Sequence, residues 1–264
     1  MIIDFHAHVY TDQDAPKTIA AAERRVGIEA GGRGTVSDLR KSMRSSGIDL
    51  SVLLPVARQP QQVGEVNDWF IQAAGEGLIT FGAIHPFQPD LVEELDRLKK
   101  KGVRGVKVVP FLQKVYPDDP RCDLLYKALI ERDMVLVFHA GKEPVDLREV
   151  YGTPDRFARV ADHHPGLTLV LSHLGGFRMW RDVRKFLIPP AENVYFDTSY
   201  VSTRLSLEET LALILEMGAD RVLFGTDYPW AGQAEELELI KSLDLSGADR
   251  AMILEGNARR LLRI

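Results

Sequence analysis

Met1-Ile-Ile-Asp-Phe-His-Ala-His8 opens the chain as a short apolar run that ends in two histidines one residue apart. Alternate residues of a strand share a face, so a strand here would project both imidazoles the same way, as a two-pronged ligand. The pair stands where an open, doubly wound sheet carries a glycine-rich phosphate loop after its first strand. That exchange turns the reading toward a closed barrel, whose strand ends gather at one mouth. A lone His-x-His is a weak signal, so its weight depends on what the rest of the chain supplies.

Seven more runs of the same kind follow. With the first at 2–8, they lie at 50–56, 78–84, 103–109, 134–139, 167–172, 193–198 and 221–226, each bounded by turn signals. Runs such as Val135-Leu-Val-Phe138 and Leu167-Thr-Leu-Val-Leu171 have no polar face, as expected of parallel strands covered on both sides. Amphipathic stretches lie between them, one from Asp90-Leu-Val-Glu93 to Gly102 and another from Ser206-Leu-Glu-Glu209 to Gly218. Strand and helix therefore alternate, and eight such units predict an α/β chain folded as a single (β/α)8 TIM barrel over residues 1–264. The first connection is the exception. Residues 9–36 pass through Glu23-Arg24-Arg25 and Gly31-Gly32-Arg33-Gly34 before a helix from Ser37, and read as a long loop able to cap the mouth. Residues 247–263 read as a closing helix, with Ile253, Leu254, Leu261 and Leu262 on its apolar side.

Composition narrows the classes of function. With 45% hydrophobic and 27% charged residues, the chain has the makeup of a globular protein with a sizeable core. No run approaches 18 apolar residues, and the first strand carries Asp4 and His6, so neither a membrane span nor a signal peptide fits and a cytoplasmic location is expected. The one cysteine, Cys122, has no CxxC neighbour and reads as an inert thiol. A net charge of −5 comes without a basic stripe, and Lys99-Lys100-Lys101 closes a helix where cations offset the dipole, so nucleic acid is not an expected partner. Homo-oligomers through outer helices are compatible with such a barrel.

The histidines fall where a barrel would use them. His139 ends the fifth run before Ala140-Gly141, His173 follows the sixth before Leu174-Gly175-Gly176, and Asp227 follows the eighth in Phe224-Gly-Thr-Asp-Tyr-Pro-Trp230. Any one of these alone reads better as a hydrogen-bonded structural residue, but the common register of all of them points to a metal site. Lys107 ends the fourth run and His85 the third, while His163-His164 precede Pro165 on the opposite rim and read as surface residues. Asp4 is expected one pleat below His6, supporting it or closing a core hydrogen bond, and His85 is expected either to support the ligands or to serve a turn. Arg178, Trp180, Tyr200, Arg204 and Trp230 lie in the loops after the last three runs. Guanidinium and aromatic groups there suggest a small-molecule substrate that is carboxylated or aromatic.

These pieces also resemble a known family. His6-Ala-His8, Lys107-Val-Val-Pro110, Tyr116-Pro-Asp-Asp-Pro120, Phe138-His-Ala-Gly141, Leu171-Ser-His-Leu-Gly-Gly176, Tyr195-Phe-Asp-Thr-Ser199, Phe224-Gly-Thr-Asp-Tyr-Pro229 and Gly256-Asn-Ala-Arg-Arg-Leu261 are similar, in order, to the amidohydrolase-related (amidohydrolase 2) branch of the amidohydrolase superfamily. The resemblance implies a metal-dependent TIM barrel in which His6, His8, His139 and Asp227 hold a divalent ion. Such ligands suit Zn²⁺ first, with Mn²⁺ or Fe²⁺ as alternatives. It leaves Lys107 two roles: once carboxylated, it would bridge to a second ion together with His139 and His173; left free, its ammonium would grip an anionic substrate. A solvated strand-end lysine is the bland third reading.

The expected activity is a metal-dependent hydrolase of an amide, ester or lactone, with a metal-activated water. Asp227 would be its general base, and His173 would polarise the carbonyl or serve as a second-metal ligand. A non-oxidative decarboxylase of a small carboxylic acid on the same site is the alternative, because the same branch contains such lyases. Chain length is the one feature favouring hydrolysis, since 264 residues leave little room for the extra loops of the decarboxylases. A barrel that binds metal or a partner without turnover is the third class, and the intact ligand set argues against it.

Overall fold

The computed structural model describes residues 1–143 and 148–264, apart from the side chain of Val26. Every predicted apolar run contains a strand: β1 (Ile3–Ala7), β2 (Leu50–Leu53), β3 (Leu78–Thr80) and β4 (Gly82–Ala83), β5 (Gly105–Val108), β6 (Val135–Phe138), β7 (Leu169–Leu171), β8 (Val194–Asp197) and β9 (Val222–Leu223). The third run is divided at Phe81, whose amide bonds Leu53 O at 2.9 Å and so keeps that run joined to β2. Pairing is parallel throughout, in the orders β1-β2-β3 and β4-β5-β6-β7-β8-β9. The ends then meet. Phe5 N donates to Phe224 O at 2.8 Å, Asp227 N to His6 O at 2.8 Å, and Ala7 forms a parallel bridge with Tyr228. The hydrogen bonding thus returns from the last strand to the first, which removes the sheet edges as a barrel does.

Two apolar layers hold this ring. One joins strand residues such as Val106, Leu136, Phe138, Leu169, Leu171 and Phe196 to the surrounding helices. The other, including Phe5, Val52, Leu54, Phe81, Val137 and Val170, comes from the strands themselves together with Ala258 and Leu262 near the C-terminus. Alternation along each strand separates the two sets, the pattern of inward and outward side chains in a filled barrel.

Helix punctuation behaves as the sequence suggests. Ser206 and Glu209 form a reciprocal capping box for the helix Leu207–Met217, which Gly218 ends, and Asp90 precedes the helix Leu91–Lys100. The helix expected from Ser37 starts one residue earlier, at Val36, because the Thr35 side chain caps Asp38 N. The segment 9–36 is not an unstructured loop. It contains the helix Ala15–Val26, and Ile28 beyond it packs on the cluster of Phe177, Tyr200 and Ala231. Its alanine-rich centre, Ile19-Ala-Ala-Ala22, carries helix propensity that the flanking charges and glycines obscure.

The closing helix is interrupted. Gly247–Ala251 and Asn257–Leu262 are α-helical, and the five residues Met252–Gly256 between them form a π-turn. There Ile253 O accepts from Phe224 N at 3.0 Å, and Asn257 Nδ2 donates to Val222 O and Ala219 O at 2.6 and 2.7 Å. The irregular turn is what ties the C-terminus to β9. No described helix is long and apolar enough to cross a membrane. Cys122 is buried, which pushes its thiol up to about 12, away from thiolate chemistry. His163 is exposed as expected. His164 is not a free surface residue: its ring lies edge-on to Tyr126 and its Nε2 meets Asp123 at 3.2 Å.

Candidate metal and active site

The mouth is built from strand ends whose backbones turn sharply just past the last ladder bond. His173 and Asp227 both have left-handed backbones, with φ of 60° and 66°. A branched residue resists that region, and holding a polar one there costs on the order of 1–3 kcal/mol, which surrounding bonds must offset. Asp227 N is held by His6 O, and Leu174 N donates to the Asp197 backbone oxygen at 2.7 Å. The turns place both side chains over the barrel end.

Three of the expected ligands converge. His6 Nε2 and His8 Nε2 are 3.1 Å apart, and Asp227 Oδ1 stands 3.3 and 3.2 Å from them. Their hydrogens can be assigned from their outer partners. His8 Nδ1 meets Leu54 O at 2.8 Å, and a carbonyl only accepts, so Nδ1 carries the hydrogen and, in the neutral ring, Nε2 is a lone pair. His6 Nδ1 meets the Asp197 carboxylate at 2.9 Å, with the same result. Burial, reinforced by the Lys107 charge, lowers His6 to about 4, so it is neutral. Burial alone would raise the Asp227 carboxyl, yet it lies below the ordinary carboxylate range and is ionised. Three electron-pair donors therefore face one another with no hydrogen among them. Neighbouring ligands on an ion with bonds of ~2.1 Å stand ~3.0–3.4 Å apart, so this set fits a divalent cation.

His139 lies beside this trio in a second pair. Its Nδ1 is 3.0 Å from His173 Nε2, and Phe111 stands edge-on to its ring. His173 Nδ1 is bonded to Ser199 O at 2.9 Å and to Ser199 Oγ at 3.0 Å. Burial, with His139 adding to it, lowers His173 to about 3. Lys107 is buried on β5, its ammonium donating to Ser172 Oγ at 2.9 Å, and burial lowers it to about 8 against the pull of Asp197, Asp227 and Glu143. A solvated lysine is thereby ruled out.

Asp4 does not share the face of His6. The pairing register shifts between Asp4 and Ala7, and the Asp4 carboxylate bonds Thr226 Oγ1 and Gln233 Nε2, both at 2.7 Å, the latter in the outer helix Gln233–Ser242. A bulge breaks strand alternation, which sequence periodicity assumes. Asp4 is thus the core hydrogen-bond acceptor of the two readings, with burial raising it to about 7. His85 accepts from Phe87 N at 3.2 Å and stands edge-on to the Phe87 ring, a turn contact. At the rim, Trp180 Nε1 donates to His173 O at 3.1 Å, and Trp230 packs with Phe177, Tyr200 and Ala231. Arg178 and Arg204 are exposed, and Arg178 reaches Glu143 O at 3.5 Å.

Three residues of the site went unassigned by sequence reasoning. Asp197 backs His6 and accepts from His173 N, Ser199 N and Ser199 Oγ; its signal was a strand-end aspartate in an otherwise apolar run. Ser199, two residues on, backs His173. Glu143 sits with Oε1 2.7 Å from His139 Nε2, and nothing in Gly141-Lys-Glu143 distinguishes it from a loop carboxylate.

A sequence profile of the amidohydrolase family matches residues 3–264. This chain belongs to the amidohydrolase family. The gamma-resorcylate decarboxylase of Rhizobium sp. (strain MTP-10005) is 32% identical over 118 residues, a stretch that covers 39% of this chain and 36% of that protein. The chain therefore aligns with little more than a third of the length of such relatives. Among solved structures, the dihydroxybenzoic acid decarboxylase of Polaromonas sp. JS666, with bound manganese and the inhibitor 2-nitroresorcinol, superposes with a TM-score of 0.72 at 18% identity over 99% of this chain and 96% of that one. An uncharacterized TIM-barrel protein from Bordetella bronchiseptica gives 0.77 at 20% identity over 99% and 98%. The fold of this amidohydrolase is accordingly the TIM barrel. The hydrolytic activity expected from the sequence is overturned, because the named relatives are decarboxylases. The length argument fails with it, since the Polaromonas chain is matched almost entirely. Zinc as the preferred ion has no support from these proteins either, as the Polaromonas structure carries manganese.

Proposed function

We propose that this amidohydrolase is a metal-dependent, non-oxidative decarboxylase of a small aromatic carboxylic acid. The observation that carries the reading is the lone-pair trio of His6, His8 and Asp227 in a chain whose named relatives remove CO₂ from a dihydroxybenzoate. These three residues, with His139 as the family resemblance implies, would hold the ion. When bound, it would supply an electrophile that fixes an oxygen-bearing substrate and takes up negative charge as the carbon–carbon bond weakens. Mn²⁺ is the ion to load first.

The protein's own residues account for the rest. Loss of CO₂ leaves an electron pair on carbon, and a proton must reach it; Asp227 and the His139–His173 pair are the titratable groups at hand. Phe111, Phe177, Tyr200 and Trp230 supply aromatic surface for a planar ring and exclude water beside it. Lys107 in its free form is the buried cation available to an anionic substrate. The test is direct: Mn²⁺-loaded protein is given gamma-resorcylate and a panel of hydroxybenzoic acids. One CO₂ released per acid consumed, with solvent hydrogen at the vacated carbon, is expected. No CO₂ from any member of the panel overturns the assignment.

A further inference from the structure

We propose that Glu143 is a ligand of a divalent cation in this protein, acting with His139 Nε2; the inference deepens the metal-dependent reading above and rests on it. Ser199 Oγ donates to Asp197 Oδ1, so both Ser199 oxygens facing His173 are acceptors, and His173 Nδ1 carries its hydrogen. His173 Nε2 is then a lone pair, and the hydrogen in the 3.0 Å contact with His139 belongs to His139 Nδ1. In the neutral His139 ring that leaves Nε2 as a lone pair, and it faces the carboxylate oxygen of Glu143 at 2.7 Å.

Two acceptors this close repel unless something positive lies between them. Among the described residues neither has a donor elsewhere: His139 Nε2 and Glu143 Oε1 are both buried and without a hydrogen-bond partner, and the Glu143 side chain is only 9% exposed. A proton shared along the line of centres is disfavoured, because the contact is short yet out of hydrogen-bond alignment. At 2.7 Å the two donors stand a few tenths of an ångström closer than the 3.1–3.3 Å of the His6, His8 and Asp227 trio, and off axis they present two lone pairs that one ion could take. The nearby cation Lys107 is bonded to Ser172, not to Glu143. A nitrogen and a carboxylate oxygen suit Mn²⁺ or Zn²⁺.

The experiment measures Mn²⁺ binding to the metal-free full chain by electron paramagnetic resonance and chelator competition, for the wild type, Glu143→Gln and Glu143→Asp. Glu143→Gln is expected to bind roughly tenfold or more weakly, or to lose one ion, with Glu143→Asp between it and the wild type. A glutamine amide can donate to His139 Nε2, so metal-free Glu143→Gln is expected to melt no lower than the metal-free wild type. Glu143→Gln binding Mn²⁺ with wild-type affinity and stoichiometry overturns the role of Glu143 alone. No Mn²⁺ on the wild type overturns the metal-dependent reading as well.

Discussion

At the scale of single residues, the site works by giving each imidazole an outer partner that fixes which nitrogen faces inward. Asp197 does this for His6, Leu54 O for His8, and Ser199 for His173. Such partners set ligand orientation and basicity, so Asp197→Asn is expected to weaken Mn²⁺ binding roughly 10–100-fold by chelator competition. An unchanged affinity would show that Asp197 serves only the loop turns. Asp227→Asn removes the one charge from the converging trio, and is expected to abolish detectable CO₂ release and to cut metal occupancy while circular dichroism stays that of the wild type. Retained turnover would remove Asp227 from the centre. The histidines and Asp227 were readable in the sequence because each ends an apolar run at a turn. Asp197 and Glu143 were not, because their roles come from the neighbours that tertiary structure places against them. Of the two readings of Asp4, the core hydrogen bond stands, because a bulge, invisible to a two-residue period, turns it toward Gln233.

Among the elements, the loop after β8 and the helix Gln233–Ser242 hold one another through a buried carboxyl. Glu236 in the first turn of that helix accepts from Ser202 Oγ at 2.5 Å, and its Oε2 has no hydrogen-bond partner among the described residues. Burial raises it to about 8, against the hydrogen bonds from Ser202 and with the Asp227 charge adding to the rise. The native state therefore keeps a proton that the unfolded chain releases above its ordinary value of 4.5, so this contribution is full below that value and is lost as pH climbs through about 8. Glu236→Gln mimics the protonated form, so its melting temperature is expected to match the wild type near pH 4.5 and to exceed it above pH 8. Parallel melting curves across that range would mean the carboxyl is solvated. The elements themselves were legible from run length and punctuation. The helix Ala15–Val26 was not, because Gly31-Gly32 and the charges near it dominate the local pattern.

For the whole molecule, the decisive join is the one between the last strand and the first, because the site residues come from both. The C-terminal helix controls it: the π-turn presents Ile253 O to Phe224 N, and Phe224 O in turn accepts from Phe5 N. Asn257 clamps the same strand through Val222 O and Ala219 O. The Gly256-Asn-Ala-Arg-Arg-Leu261 piece was recognisable in the sequence, but its purpose was not, since no pattern announces a helix that departs from α geometry to meet a strand. Asn257→Ala strands two carbonyl oxygens and leaves a void beside β9, a cost of roughly 2–4 kcal/mol, which for a chain of this size lowers the melting temperature by about 5–15 °C. Because the ligands sit at the opposite, carboxyl ends of the strands, Mn²⁺ affinity at 25 °C is expected to hold within about threefold. Calorimetry and metal titration on the same preparation check both parts. A melting temperature within a degree of the wild type would mean that barrel closure does not depend on this clamp, whereas a collapse of metal affinity would tie closure directly to the geometry of His6, His8 and Asp227.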